Sequence, residues 1–275
     1  MTATPRAIPH LFADWEHIRR RICDGKRVVM FLDFDGTLVR IAPAPHQVRV
    51  DTATRAALKK LVRHRGVTVV VISGRRRVEL QRHIGLPNVK YLGLYGWEAN
   101  GNMRLPFSVR EALACTMMDL VVRIPKTSSV WAEPKGGSFS VHLLGASAET
   151  RRQVRVLVQK LVRPHRGTLK VMMNLRDLEV APLSIGDKGV GVRKFLDQPA
   201  QRGALPIYFG DDLSDEPGFV AARAGISVLV GKRRKTRAKF SLRGPAEVTK
   251  ALSRVEEIVR WTGQPRRSNS TPSPI

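Results

Sequence analysis

The chain is 275 residues long and 43% hydrophobic, enough to bury one large core or two modest ones. No apolar run is long enough for a bilayer, the first two dozen residues lack the apolar stretch of a secretory leader, and Cys23 and Cys115 stand isolated. A membrane protein, a disulfide scaffold and a zinc module are set aside, and a soluble protein of a reducing cytoplasm is expected. The 48 Lys and Arg residues exceed the 23 Asp and Glu to leave a formal charge of +25, which points towards polyanions. Yet the basic residues are spread along the chain, and no stretch interleaves them with aromatics as a stacking platform for nucleobases would. A positive field of this kind also draws in small anionic substrates, so nucleic acid is not the expected partner.

In chain order, residues 1–25 are expected to form an N-terminal helical extension. Residues 28–32 are an apolar run bounded by polar residues and by Gly36, the pattern of a fully buried strand. Ala57, Leu58, Leu61 and Val62 give 52–64 a helical spacing, and 67–72 is a β-branched run of strand length. A short helix around Leu80 and Ile84 and a strand over 91–94 continue this βα alternation. From about Pro106 the rhythm changes. A helix is expected over 109–122, strands over 129–132 and 139–143, a helix through Val154, Leu157, Val158 and Leu161, and strands near 169–173 and 178–180. Strands mixed with two helices read as a separate α+β layer, so 106–184 is assigned as a cap inserted between core segments 26–105 and 185–263. The second core segment returns to alternation: helix 187–196, strand 207–209, helix 217–223 and strand 226–230. A terminal helix over 246–261 carries Val248, Leu252, Val255 and Val259 on one face. The Ser-, Pro- and Arg-rich residues 264–275 are expected to be disordered.

Four motifs along this frame each supply a part that phosphoryl transfer needs. In Phe31-Leu32-Asp33-Phe34-Asp35-Gly36-Thr37-Leu38, two carboxylates lie two residues apart at a strand end, where extended backbone turns both to one side. Two close acids repel each other unless something positive lies beside them, and a hard cation with oxygen ligands, Mg2+ above all, meets that need. Asp33 can attack phosphorus and become an aspartyl phosphate, while Asp35 can protonate the leaving oxygen and then deprotonate the attacking water. The fragment alone also suits a strand exit whose acids cap a turn. Ile72-Ser73-Gly74-Arg75 offers a hydroxyl and a backbone N–H at an expected helix start, which is either an anion site or an ordinary turn. Lys188, opening a helix in Gly186-Asp187-Lys188-Gly189, can hold phosphate charge opposite the Asp pair or stand in solvent. In Phe209-Gly210-Asp211-Asp212-Leu213-Ser214-Asp215-Glu216, Asp211 can complete a metal site with Asp215 nearby, or the acids can N-cap a helix. Both acid clusters fall at strand C-termini, where open α/β sheets place their ligands.

Asp33-x-Asp35-Gly36-Thr37, Ser73, Lys188 and Gly210-Asp211-Asp212-x-x-Asp215 resemble the haloacid dehalogenase (HAD) superfamily of phosphatases. More narrowly, the chain resembles the trehalose-6-phosphate phosphatase family over about residues 27–262. It carries Leu32 to Leu38, Ser73-Gly74-Arg75, Glu133-Pro134-Lys135-Gly136, Lys188-Gly189 and Gly210 to Glu216, with Ser214 where that family has Thr. The resemblance implies an α/β fold: a HAD-type Rossmann-like core with a parallel sheet, plus an inserted α+β cap. It implies Asp33 as nucleophile and Asp35 as acid and base, with Mg2+ held by Asp33, Asp211 and the Asp35 backbone carbonyl. Asp215 and Asp212 would support the metal. Ser73 and Lys188 would bind the phosphoryl group beside Gly36, Thr37, Gly74 and Arg75, and in the cap Glu133, Lys135, His142 and Glu179 would meet sugar hydroxyls.

Two stretches depart from the family pattern. Tyr95 stands in Gly93-Leu94-Tyr95-Gly96 where the family has His, and Ala181 stands in Glu179-Val180-Ala181-Pro182 where it has Arg. The expected activity is Mg2+-dependent hydrolysis of a sugar phosphate, foremost trehalose 6-phosphate. Glucosylglycerol phosphate, mannosylglycerate phosphate and sucrose phosphate are alternatives that the two departures keep open. A basic nucleic-acid-binding protein on the same scaffold is the alternative of another class. Read without the family, Glu133 and Lys135 could equally be an exposed ion pair on a hairpin.

Overall fold

The computed structural model describes residues 8–42, 48–100, 105–124, 129–232 and 234–262, so the expected disordered tail lies outside the described residues. The first sheet contains β1 (Val28–Leu32), β2 (Val67–Ile72), β3 (Lys90–Leu92), β8 (Leu205–Gly210), β9 (Ile226–Val230) and β10 (Phe240–Leu242). Its order is β10-β9-β8-β1-β2-β3, and every neighbouring pair is parallel. β1 is central, and each of its five residues is buried because the sheet is covered on both faces. Val28, Met30 and Leu32 pack into one core with Val69, Val71 and Phe209, while Val29 and Phe31 enter another with Val70, Tyr208 and Phe219. That alternation is the strand period of two, and it explains why an unbroken apolar run is needed here.

Helices close the two faces. α1 (Trp15–Asp24), α2 (Thr52–Leu61), α3 (Arg77–Ile84) and α8 (Pro245–Thr262) send Ile18, Leu58, Leu80 and Leu252 into the first core. α6 (Lys188–Leu196) and α7 (Glu216–Ala221) send Val192, Phe195 and Phe219 into the second. The chain runs β1, β2, β3 to one side and β8, β9, β10 to the other, so the strand order reverses between β1 and β8. The crevice beyond their C-termini is where such sheets bind ligands.

The second sheet comprises β4 (Trp131–Pro134), β5 (Phe139–His142), β6 (Leu169–Met173) and β7 (Asp177–Pro182), in the antiparallel order β4-β5-β7-β6. α4 (Phe107–Arg123) and α5 (Ala148–Val162) cover one face through Leu113, Leu120, Val154 and Val158, which meet Val141, Leu178 and Val180. The alternate residues form a polar face: Glu133 registers with Ser140, and Ser140 with Glu179. The fold is thus mixed α/β, with a parallel core sheet and a separate α+β layer.

Some elements differ from the sequence expectation. β3 stops at Leu92 because Leu94 and Tyr95 adopt φ of +45° and +60°, which cannot continue a ladder. Their N–H groups instead reach Arg75 O (2.9 Å) and Ser73 O (2.8 Å). β10, three residues behind a run of basic residues, is too short to leave a periodic signature. No helix of the described residues is long and apolar enough to cross a membrane.

Candidate active site

Four buried charged groups meet at the C-terminal ends of β1 and β8. Asp33 follows β1, Asp211 follows β8, Asp215 ends a short 3-10 turn, and Lys188 is the first residue of α6. The Lys188 ammonium donates to Asp33 Oδ1 (2.6 Å) and to Asp215 Oδ1 (2.7 Å), so it is enclosed and not solvated. Asp215 also accepts from the Tyr208 hydroxyl (2.8 Å) and the Asp212 N–H (2.9 Å). Burial works against the Lys188 ammonium, but Asp215 and Asp33 outweigh it and hold it charged. Burial pushes Asp33 well above the carboxylate range, with Lys188 opposing and Asp215 and Asp211 adding to the rise. Burial and the neighbouring Asp215 push Asp211 up to about 7.

Three acids face two cations, Lys188 and, at Asp211 Oδ2, Arg176 (3.0 Å), which leaves this site short of positive charge. Oxygens of Asp33, Asp211 and Asp215 lie within 4.8 Å of one another. Asp211 Oδ1 is buried without a hydrogen-bond partner, a state a native fold rarely tolerates unless something else occupies the acceptor. A Cβ on Gly36, whose φ is +89°, would stand 2.1 Å from Asp211 Oδ2, so only glycine leaves room for that carboxylate. An all-oxygen, anionic, partly orphaned set of this kind fits a hard divalent cation.

The Asp35 carboxylate is not in that set. It receives two bonds from the Arg75 guanidinium, Nε to Oδ2 at 2.6 Å and Nη2 to Oδ1 at 2.7 Å, at the rim of the same cleft. Ser73 and Gly74 line the cleft beside it, but not as a helix N-terminus. α3 begins only at Arg77, and the Ser73 hydroxyl accepts from the Arg75 N–H (3.2 Å). Thr37 is fully buried, and its hydroxyl oxygen has no hydrogen-bond partner among the described residues.

The polar face of the second sheet forms the opposite wall. Glu133 and Lys135 are not paired with each other, as a plain hairpin ion pair would be. Glu133 contacts His142 Nε2 (2.8 Å), and the His142 ring stacks on Trp131 at 4.0 Å and 16°. Lys135 donates to Glu179 Oε2 (2.9 Å), and burial, which lowers its pKa, is outweighed by Glu179 and Asp177, so the pKa ends raised. Glu179, expected to meet the sugar, lies wholly buried below the cleft, where Ser138 and Ser140 also donate to it. It positions Lys135 from beneath. Tyr95 lines the cleft and packs on Ala181 and Ile185, so both departures from the family pattern occupy one small cluster.

Sequence reasoning missed the β6–β7 turn. Arg176 Nη1 reaches Asp211 Oδ2 (3.0 Å), the Leu175 N–H donates to Asp212 Oδ1 (2.8 Å), and Asn174 and Asp177 line the cleft beside them. One arginine in so basic a chain carries no signal, and Asn-Leu-Arg-Asp is an ordinary turn sequence. Trp131 and Tyr208 were also unmarked, being single aromatics in apolar strands.

Comparison with known proteins places this geometry. The model of the trehalose-phosphatase family matches residues 31–246. A probable trehalose-phosphate phosphatase 4 of rice (Oryza sativa subsp. japonica) is 28% identical over 98% of this chain and 75% of its own length. The trehalose-phosphate phosphatase of Mycobacterium marinum is 30% identical over 86% of this chain and 63% of its own. The C-terminal domain of Candida albicans trehalose-6-phosphate phosphatase superimposes with a TM-score of 0.79 at 19% identity, covering 92% of this chain and 99% of that one. That last likeness carries the fold, which is the haloacid dehalogenase one. With its strand-end acids, its enclosed lysine and a family match over most of its length, this chain belongs to the trehalose-phosphatase family of phosphoric monoester hydrolases.

Proposed function

We propose that the protein hydrolyses trehalose 6-phosphate to trehalose and inorganic phosphate, with Mg2+ as cofactor and the cytoplasm as its site of action. The observation that carries the reading is the enclosed Asp33–Lys188–Asp215 cluster with Asp211 beside it, facing the polar wall of a second sheet across a cleft of about 160 Å³. Residues 106–184 act as a cap over the core segments 26–105 and 185–263, selecting the sugar and excluding bulk water.

Asp33 attacks phosphorus, and the bond from phosphorus to the sugar oxygen breaks as that oxygen takes a proton from Asp35. Asp35 then removes a proton from water, which attacks the aspartyl phosphate, frees Asp33 and yields inorganic phosphate. Arg75 holds both Asp35 oxygens and releases one when Asp35 carries its proton, and Lys188 and Ser73 hold the phosphoryl oxygens. Asp33, the Asp35 backbone carbonyl and Asp211, with Asp215 and Asp212 behind them, would hold Mg2+, which would supply positive charge to offset those oxygens. Glu133, Lys135 and His142 present hydrogen-bonding groups to the sugar. Release of phosphate from trehalose 6-phosphate, abolished in Asp33→Asn and by EDTA, tests the reading.

The packing of Tyr95 against Ala181 favours a second reading in which the sugar is a related glycosyl phosphate. Good turnover of glucosylglycerol phosphate or sucrose phosphate without turnover of trehalose 6-phosphate would select it.

A further inference from the structure

Asn174 follows β6 and is 6% exposed, and it lines the cleft. Its amide nitrogen donates to Asp177 Oδ1 at 2.6 Å. An ionised carboxylate only accepts, so the reversed amide would set two acceptors against each other, and the orientation is fixed. The turn is also held rigidly. The Asn174 N–H bonds the Asp177 carbonyl (3.1 Å), and the Leu175 N–H is tied to Asp212 on the core. The remaining atom, Asn174 Oδ1, is buried and has no hydrogen-bond partner among the described residues.

Of the cleft-lining side chains, Asp211 and Asn174 each keep a buried oxygen without a partner. The Asp211 oxygen lies among the acids, at the end suited to cation and phosphate. We propose that Asn174 Oδ1 accepts a hydrogen bond from a hydroxyl of the uncharged, carbohydrate part of the substrate, and so determines which sugar phosphates bind. This rests on the hydrolase reading above and deepens it. The acceptor demands a donor, and its surroundings reject an anion. Asp177 is adjacent, and the nearby cations are already engaged, Lys135 with Glu179 (2.9 Å) and Arg176 with Asp211 (3.0 Å). A second phosphate or a carboxylate at this end of the substrate is therefore disfavoured, whereas a hydroxyl satisfies the oxygen.

The test compares Asn174→Leu, close in size but without the acceptor, with the parent protein on two substrates. For trehalose 6-phosphate, KM is expected to rise roughly 10- to 100-fold with kcat changed less than about threefold. For p-nitrophenyl phosphate, which has no sugar hydroxyl, kcat/KM is expected to change less than about threefold. A panel of monodeoxy trehalose 6-phosphates identifies the donor: one analogue is poor with the parent protein and loses nothing further in Asn174→Leu. Equal losses on both substrates, an unchanged KM, or losses that add for every analogue overturn the proposal. Should Asn174→Leu fail to fold, Asn174→Ser is measured in the same way, and the same outcomes decide. If the parent protein instead turns over another glycosyl phosphate, the trehalose reading falls on its own, and the KM comparison on that substrate decides the role of Asn174.

Discussion

The two walls of the cleft handle buried charge in opposite ways. On the core side, Asp33 and Asp215 share Lys188, Asp211 keeps one unpartnered oxygen while its other meets Arg176, and Asp33 and Asp211 are both pushed towards protonation. On the cap side, Glu179 is fully buried yet receives Lys135, Ser138 and Ser140, so its charge is answered from within. The core wall is left electrostatically incomplete, as chemistry on a cation and a phosphate requires, whereas on the cap wall the buried charges are paired and the unpartnered atom is a neutral one, Asn174 Oδ1. Incompleteness lowers stability to serve function, and saturation does the reverse.

The largest expected effect falls on the core. Asp33→Asn keeps the shape of the site and removes the nucleophile, and phosphate release should drop by at least about 10³-fold while the melting temperature holds or rises. Next comes the cap. Glu179→Ala leaves Lys135 buried without its partner, which should cost roughly 3–5 kcal/mol in denaturant unfolding. Asp211→Asn provides the sharpest contrast. In EDTA at pH 8 it should stabilise the protein by roughly 1–3 kcal/mol, because it relieves a carboxylate whose pKa is raised to about 7, and yet abolish metal-dependent turnover. Loss of stability in both Asp211→Asn and Glu179→Ala would erase the distinction between the walls.

The pH dependences should also oppose each other. Asp211 binds its proton more tightly when folded, so in EDTA its contribution to stability falls as pH rises from its ordinary value near 3.8 through about 7. Glu133 is held below its ordinary 4.5, where burial, which raises it, is overcome by His142 and Lys135. Its contribution is present above pH 4.5 and is lost as pH falls through its lowered value, so Glu133→Gln should flatten the acid limb of the stability curve. The smallest effect is expected from Tyr208→Phe, which removes one bond to Asp215 at about 0.5–1.5 kcal/mol.

The same contrast explains what was legible in the sequence. Asp33, Asp211 and Lys188 occupy strand and helix ends, and an apolar run followed by acids announces both the element and the place where its side chains emerge. Gly36 was visible as a turn, though not that it makes room for Asp211. The cap wall depends instead on register between strands far apart in the chain, such as Glu133 beside Ser140 and Ser140 beside Glu179. Periodicity identifies the strands but not their pairing, so it does not show that Glu179 lies buried and bonded to Lys135. Asn174 and Arg176 gain their places from the fold of one hairpin against the core, which no local pattern encodes.

The most direct test of the central claim is phosphate release from trehalose 6-phosphate with Mg2+, measured on the purified protein and on Asp33→Asn. The account predicts turnover by the former that EDTA removes and Mg2+ restores, and none above background by the latter. Phosphate release that persists in Asp33→Asn, or its absence from the unaltered protein on every glycosyl phosphate tried, would contradict it.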